Sequence, residues 1–225
     1  MSIQDSSLNL NDLSGICLNG VKGVLVDIDD TLYSYQNAHP EALESCFREL
    51  KRLTLFDEGF EVFQTTYTSF RNKVKRRLEP QGTCRSRLFA FQDLFESLGL
   101  ENAYLKALEF EDLYWNSLIK NIELRDQFRA FFEICKENDV SICAVSDMQA
   151  RFQIEKLRHL GILEDIKFLV TSEEVGIEKP NAAIFLHALD KLKMEPLEVI
   201  MIGDSYEKDV LGARALGIKA YLLEN

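Results

Sequence analysis

Three carboxylates within four positions mark the first place in this sequence where chemistry could occur. The stretch VKGVLVDIDDTLY, residues 21–33, leads from an apolar run into Asp27, Asp29 and Asp30. Because like charges this close repel, burying one without a partner costs several kcal/mol or forces protonation. The cluster is therefore either open to water or placed beside a positive group.

Other polar residues follow later apolar runs in the same way. Ser146 ends the run VSICAVS, Lys179 lies in EEVGIEKPN, and Asp204 and Asp209 lie in EVIMIGDSYEKD. If these runs are parallel strands, the polar residues follow their carboxyl ends, which is where open parallel sheets bind ligands. The sequence therefore predicts that these side chains share one site.

The residue types at this predicted site complement one another. Four carboxylates suit a hard cation with oxygen ligands, for which Mg²⁺ is the usual choice. They belong to Asp27, Asp29, Asp204 and Asp209. The hydroxyl of Ser146, the ammonium of Lys179 and nearby backbone N–H groups suit the oxygens of a phosphoryl group. We therefore predict a magnesium site beside a phosphoryl-binding site.

The elements that must position these residues alternate between strand and helix patterns. Short apolar runs predict five strands, at 21–28, 140–147, 166–172, 198–204 and 218–223. Amphipathic patterns predict helices at 125–138, 149–161, 181–194 and 206–217, with Asn181 as an N-cap. Nearly continuous apolar strands alternating with helices are typical of an α/β fold, a parallel sheet with helices on both faces.

Residues 36–120 break this alternation. Helical patterns at 40–56, 59–78, 86–100 and 108–121 predict an all-helical subdomain inserted after the first strand. The α/β core then comprises residues 1–35 and 121–225. We expect the aromatic residues of the insertion to form its core: Phe89, Phe91, Phe95, Phe110, Tyr114 and Trp115.

Composition excludes several classes of protein. The 225 residues are 46% hydrophobic, and no apolar run approaches the ~18–20 residues of a membrane span. The net charge of −11 argues against nucleic acid as a general partner. The first 20 residues do not resemble a secretory signal and are expected to be a polar lead-in. Five cysteines without a CxxC pair indicate a reduced, cytoplasmic protein.

The segment 71–87 is basic within this acidic chain. It holds seven basic residues and one acidic residue. It is either a solvated helix face or a source of cations that grip an anionic substrate. The candidates for the second interpretation are Arg71, Lys75, Arg76, Arg77, Arg85 and Arg87.

Four motifs in order resemble those of the haloacid dehalogenase superfamily: VLVDIDDT, ICAVSD, EKP and IGDSYEKD. The match covers nearly the whole chain. It implies a Rossmann-like core, and the helical insertion is similar to the cap of the subgroup that includes phosphoglycolate phosphatase and several nucleotidases. One departure is Asp30, where many members carry Gly.

The resemblance also implies a role for each matching residue. Asp27 would be the nucleophile that forms an aspartyl-phosphate, and Asp29 the proton donor and acceptor. Mg²⁺ would be held by the carboxylates of Asp27 and Asp204 and by the backbone carbonyl of Asp29, with Asp209 supporting the metal. The phosphoryl group would be held by Ser146 and Lys179, and Thr31 would brace the loop.

The expected function is that of a Mg²⁺-dependent phosphatase for a small phosphorylated metabolite, such as a nucleoside monophosphate, a sugar phosphate or phosphoglycolate. A dehalogenase is disfavoured because halide needs no proton donor, whereas Asp29 supplies one. A phosphomutase of the same fold and a non-catalytic binding protein remain as alternatives. A phosphorelay receiver domain would be about half this length.

Residues outside the motifs receive simpler interpretations. We expect His39, His159 and His187 to be structural or to lie on the surface, because their spacing fits no ligand set. Glu173 and Glu174 either orient Lys179 or lie in solvent. The sequence does not predict the oligomeric state.

Overall fold

The computed structural model describes residues 7–9, 13 and 15–224 of the chain. It divides the chain into two compact units. One comprises Met1–Ser34 with Glu123–Asn225, and the other comprises Tyr35–Ile122. We call them the α/β unit and the helical unit. Among the described residues, no helix combines the length and apolar character needed to cross a bilayer.

The α/β unit contains a parallel sheet, which confirms the predicted fold class. Its strands are β1 (Ser7–Asn9), β2 (Gly23–Val26), β3 (Ser141–Ser146), β4 (Ile166–Thr171), β5 (Val199–Gly203) and β6 (Lys219–Glu224). They lie in the order β1-β6-β5-β2-β3-β4. The five predicted strands are present. The description of the first 20 residues as a lead-in was incomplete, because β1 pairs with β6 at the sheet edge.

The helices are, in chain order, α1 (Tyr35–Arg52), α2 (Phe60–Leu78), α3 (Arg87–Ser97), α4 (Ala103–Lys120), α5 (Asp126–Glu137), α6 (Ala150–His159), α7 (Ser172–Val175), α8 (Ala182–Leu192) and α9 (Gly212–Arg214). Short 3₁₀ turns cover Gly82–Arg85 and Pro196–Glu198. The predicted helix at 206–217 instead begins as a π-helical turn, Tyr206–Leu211, followed by α9.

Strand β2 lies at the centre of the sheet and is fully buried. Gly23 is in register with Ser141 of β3 on one side and with Val199 of β5 on the other. Since all three strands run parallel, their carboxyl ends meet at one edge of the sheet. This register brings the polar residues that follow β2, β3 and β5 together.

Helix α8 covers one face of the sheet. Asn181 caps it as predicted, because its side-chain oxygen accepts a hydrogen bond from the Ala183 N–H at 2.9 Å. The buried side chains of α8, including Ile184 and Phe185, pack against Leu25, Val145 and Met201. This apolar layer supports the strands that carry the site.

The helical unit has an aromatic core. Phe91 and Phe110 are buried and their ring centroids lie 5.8 Å apart. Trp115 is 2% exposed and contacts Tyr114 edge-to-face. The expectation was wrong for Phe89, which is 37% exposed, and is confirmed for the other five aromatic residues. The function of this unit as a cap stays a prediction.

Candidate active site

Lys179 is the positive group that lies beside the acidic cluster. It is buried, and its Nζ lies 2.6 Å from Asp27 Oδ1, 2.6 Å from Asp209 Oδ1 and 3.0 Å from the carbonyl oxygen of Val145. Asp27 follows β2 directly, and its N–H donates to the Ile202 carbonyl of β5 at 3.0 Å. One ammonium group therefore bridges residues placed by different strands.

Thr31 connects Asp27 to Asp204. Its Oγ1 lies 3.1 Å from Asp27 Oδ2 and 3.2 Å from Asp204 Oδ1, and it accepts a hydrogen bond from the Asp204 N–H at 3.2 Å. A hydroxyl has one proton, so it donates to one of the two carboxylates at a time. The fully buried Thr31 thus braces the loop after β2 against the end of β5.

Asp30 occupies a left-handed backbone conformation, with φ 63°. Glycine adopts this region without steric cost, and aspartate is among the few other residues that tolerate it. The departure from the family pattern at this position therefore preserves the shape of the loop.

The π-helical turn brings Asp209 into the site. The N–H groups of both Asp209 and Val210 donate to the Ser205 carbonyl, at 2.9 and 3.3 Å, which widens the turn. The Ser205 N–H in return donates to Asp209 Oδ2 at 3.1 Å. Gly203 leaves the necessary space, because a Cβ there would overlap the Asp209 carboxylate.

Three carboxylates form a potential metal site. Asp27, Asp204 and Asp209 each offer an oxygen, and these oxygens lie within 4.8 Å of one another. Burial and the neighbouring Asp209 raise the pKa of Asp204 to about 6. Burial also raises the pKa of Asp27 well above its usual value, as do Asp209 and Asp204, although Lys179 acts in the opposite direction.

These residues fit a divalent cation. Burial is the largest cause of both raised pKa values, and neighbouring carboxylates raise them further, while three carboxylates face the one ammonium of Lys179. An all-oxygen donor set with excess negative charge suits Mg²⁺. The Asp29 carboxylate is not a member of this group, and the contribution of its backbone carbonyl to a metal site stays a prediction.

Asp29 lies in a separate hydrogen-bond network. Its Oδ1 accepts from Lys156 Nζ at 2.5 Å and from the Tyr33 hydroxyl, and its Oδ2 accepts from Gln153 Nε2 at 2.8 Å. Burial raises the pKa of Asp29, but Lys156 and the hydrogen bonds outweigh burial and lower it below its usual value. In this network the carboxylate is ionised at neutral pH.

Ser146 ends β3 and joins the same network. Gln153 Nε2 donates to Ser146 Oγ at 2.5 Å. Sequence reasoning missed Tyr33, Gln153 and Lys156. The last two lie three residues apart in a helix rich in charged residues, where a lysine is usually exposed.

Asp147 orients the loop that carries Lys179. Its Oδ1 accepts from the Lys179 N–H at 2.8 Å, and its Oδ2 lies 2.7 Å from Lys208 Nζ. Lys208 also contacts Glu178 at 2.9 Å. Since Gln149 is the residue that precedes α6, Asp147 contributes to the site rather than capping that helix.

The acidic pair Glu173 and Glu174 does not contact Lys179. Glu173 accepts from the Ala150 N–H at 2.9 Å, whereas Glu174 pairs with Lys191 at 2.7 Å and with His187 at 3.1 Å. His159 is exposed. In the helical unit, His39 Nδ1 lies 2.7 Å from the Tyr114 hydroxyl.

The basic segment divides into residues of different exposure. Lys75 pairs with Glu79 at 3.3 Å and Arg77 with Asp93 at 3.3 Å, as expected for a solvated face. Arg76 is exposed, and Arg71 and Arg85 are partly buried. Arg87 is 5% exposed and lies 4.9 Å from the Tyr114 ring centroid. Its contacts lie inside the helical unit, and substrate binding by this segment stays a prediction.

Comparison with known families supports the four motifs. A family model described as haloacid dehalogenase-like hydrolase matches residues 21–217. The ribulose-1,5-bisphosphate 5-phosphatase of Halopiger xanaduensis is 28% identical over 201 residues, which cover 89% of this chain and 84% of that protein. The glyceraldehyde 3-phosphate phosphatase of Methanopyrus kandleri is 27% identical over 198 residues, or 88% of this chain and 82% of that protein.

A solved structure supports the fold. The crystal structure of a 2-haloacid dehalogenase from Pseudomonas syringae pv. Tomato matches with a TM-score of 0.75 at 21% identity. The match covers 90% of this chain and 86% of that one. At this identity the likeness concerns the architecture alone, so the reaction must be inferred from the site.

Proposed function

The chain belongs to the haloacid dehalogenase-like hydrolases, and from that premise we propose that it is a Mg²⁺-dependent phosphatase that acts on a small phosphorylated metabolite. The observation that carries this proposal is the Asp27–Lys179 pair, 2.6 Å long, with two more carboxylates beside it and Asp29 two residues further on. Relatives over most of the chain are named as phosphatases of phosphorylated sugars and trioses.

In the first half-reaction Asp27 acts as the nucleophile. One of its carboxylate oxygens attacks phosphorus, and the bond between phosphorus and the leaving oxygen breaks with its electron pair on oxygen. Asp29 is ionised in the free site, because Lys156 and its hydrogen bonds lower its pKa, so it must first take up a proton from solvent, which it then donates to that oxygen. Lys179 and Ser146 bind the phosphoryl oxygens as charge develops on them. The products are the dephosphorylated metabolite and an aspartyl-phosphate at Asp27.

In the second half-reaction water releases the phosphate. Asp29, now ionised, takes a proton from the water whose oxygen attacks phosphorus, and the bond between phosphorus and Asp27 breaks. The same carboxyl group therefore gives and accepts a proton in turn. Its position two residues after the nucleophile favours phosphoester chemistry over halide displacement, because an alkoxide leaves readily only when it is protonated.

The metal would be held by Asp27 and Asp204, with the backbone carbonyl of Asp29, and Asp209 would support it. When bound, Mg²⁺ would neutralise the carboxylates and polarise the phosphoryl oxygens. Lys179 keeps the buried cluster partly neutralised, because Asp209 and Asp27 together outweigh burial and raise its pKa.

A screen of phosphate release tests this proposal. The protein is stripped of metal and incubated with phosphorylated trioses, pentoses, nucleoside monophosphates and phosphoglycolate, with and without Mg²⁺. We expect Mg²⁺-dependent release from at least one of them. Asp27→Asn should lower kcat by about 10³-fold or more. The matched control is Asp190→Asn, on the exposed face of α8.

Two outcomes would contradict the proposal. Activity near the wild-type level in Asp27→Asn would exclude this residue as the nucleophile. Release of no phosphate from any substrate with Mg²⁺ would favour a non-catalytic member of the family. A phosphomutase would be recognised by formation of an isomeric sugar phosphate instead of free phosphate.

A further inference from the structure

Two side chains of α6 converge on Asp29. Lys156 is 1% exposed and Gln153 is fully buried. They lie three residues apart, so they share one face of the helix. Both donate to the Asp29 carboxylate, one to each oxygen. No motif residue lies on this helix, and the proposed reaction assigns it no task.

A buried lysine is an expensive way to fill the space between a helix and a sheet. Removing an ammonium group from water costs several kcal/mol unless a well-placed partner compensates. An apolar side chain would pack at this position without that cost. Lys156 directs its charge at Asp29, whose side chain is 29% exposed and thus remains open to reactants.

The donors fix the orientation of this carboxylate. Lys156 and Tyr33 hold Oδ1, while Gln153 holds Oδ2, so rotation of the carboxylate would break a hydrogen bond at one oxygen or the other. Tyr33 follows Asp29 in the same loop, whereas Lys156 and Gln153 come from a separate element. Helix α6 is therefore the external support of this side chain.

Gln153 extends the support to a second residue of the site. Its Nε2 donates to Ser146 Oγ at 2.5 Å as well as to Asp29 Oδ2 at 2.8 Å. One amide group thus sets the separation between the proposed phosphoryl-binding hydroxyl and the proposed proton donor. Such spacing matters, because proton transfer requires heavy atoms about 2.6–3.2 Å apart.

We propose that Lys156 and Gln153 are positioning residues. They hold the Asp29 carboxylate at a fixed orientation and distance from Ser146 for proton transfer to and from the reacting oxygen. The inference rests on the proposed function of Asp29. It predicts that loss of Lys156 harms reactions that need a proton donor much more than reactions that do not.

Two substrates of different leaving group test this inference. Glyceraldehyde 3-phosphate releases an alkoxide, which requires protonation, and p-nitrophenyl phosphate releases a stable phenolate. We expect Lys156→Met to lower kcat/KM, which reports the first half-reaction and not the hydrolysis common to both substrates, by about 10²-fold for the triose phosphate and by less than about tenfold for the aryl phosphate. Gln153→Leu, which removes no charge, should act in the same direction. Arg158→Met, on the exposed side of α6, is the control.

A double-mutant cycle separates positioning from a general structural effect. If Lys156 acts through Asp29, then adding Lys156→Met to Asp29→Asn should change kcat for p-nitrophenyl phosphate by less than about twofold. Equal losses on both substrates, or a full additional loss in the Asp29→Asn background, would overturn the inference. The double variant removes both charges of the pair, so it leaves no carboxylate without its ammonium partner. The test therefore remains usable if Lys156→Met alone misfolds.

Crystal structures of the wild type and of Lys156→Met make the test independent of activity. We expect the Asp29 side chain to change rotamer in the variant, while the Asp27, Lys179 and Asp209 contacts stay as they are. An unmoved Asp29 would overturn the positioning role. A wild type that releases no phosphate would instead contradict the proposed function, so the two failures are distinguishable.

Discussion

At the scale of single residues, the buried ammonium of Lys179 partly neutralises the buried carboxylates of the site. Lys179 contacts two carboxylates at 2.6 Å each, and removal of one partner of such a buried pair typically costs about 3–5 kcal/mol. Because these residues follow strands, their convergence could be predicted from sequence. The network around Asp29 could not, since the rotation of α6 decides which of its side chains face inward.

A pH-dependent stability is expected from His39. Burial, followed by the charge of Arg87, lowers its pKa from 6.5 to about 3. Below pH 6.5 the unfolded chain binds a proton at this residue that the folded protein does not bind. Folding stability from this group is therefore complete above pH 6.5 and is lost as the pH falls towards 3.

The measurement is urea unfolding of the wild type and of His39→Gln at pH 7.5 and pH 5. The wild type should lose about 2 kcal/mol more than the variant between these two values. His159→Gln, at an exposed position, should follow the wild type. Identical losses in the wild type and His39→Gln would show that His39 titrates normally in the folded protein.

At the scale of elements, strand ends and the turns after them determine where the chemistry is located. Apolar runs identified five strands, and their parallel register explains the shared site. Strand β1 was not predicted, because three residues in a polar segment are too few to show the hydrophobic pattern of a strand. The π-helical turn was not predicted either, because its hydrogen bonds depend on how the Asp209 side chain packs against Gly203.

Gly203→Ala tests whether the packing of Asp209 against Gly203 is necessary. The added Cβ would lie 2.7 Å from the Asp209 Cβ and would overlap its carboxylate, so Asp209 or the turn must shift. We expect a loss of about 1–3 kcal/mol in stability and at least about a tenfold loss of Mg²⁺-dependent activity. Gly59→Ala is the control, because no heavy atom beyond its immediate chain neighbours lies within 4 Å of its Cβ position. An active Gly203→Ala variant would show that the turn adapts freely.

At the scale of the whole molecule, two units of different construction share one acidic chain. The α/β unit gathers the proposed catalytic residues, while the helical unit contains most of the aromatic contacts and the basic segment 71–87. Composition and pattern predicted an α/β part and a helical part. They did not predict that Arg87 would lie among aromatic rings, because a cation within a basic segment is usually exposed to solvent.

Magnesium should stabilise the folded protein as a whole. A ligand that binds only the folded state at 100 times its Kd adds about 2.7 kcal/mol, which raises Tm by roughly 5–10 °C for a chain of this size. Asp204→Asn should abolish most of this increase. Without Mg²⁺ the same variant should melt above the wild type, because it removes one of the mutually repelling carboxylates.

Scanning calorimetry at several Mg²⁺ concentrations provides the measurement, with Asp190→Asn as the control. A wild-type Tm that does not respond to Mg²⁺ would contradict the assignment of the metal site. A variant that still responds fully would remove Asp204 from it.

The chain has a single tryptophan, Trp115, enclosed within the helical unit. Indole emission excited at the red edge of protein absorbance therefore reports on that unit alone, whereas far-ultraviolet circular dichroism reports on the backbone of both. Coincident transitions by these two optical signals would identify one cooperative folding unit. Separate transitions would reveal that the inserted helices melt on their own.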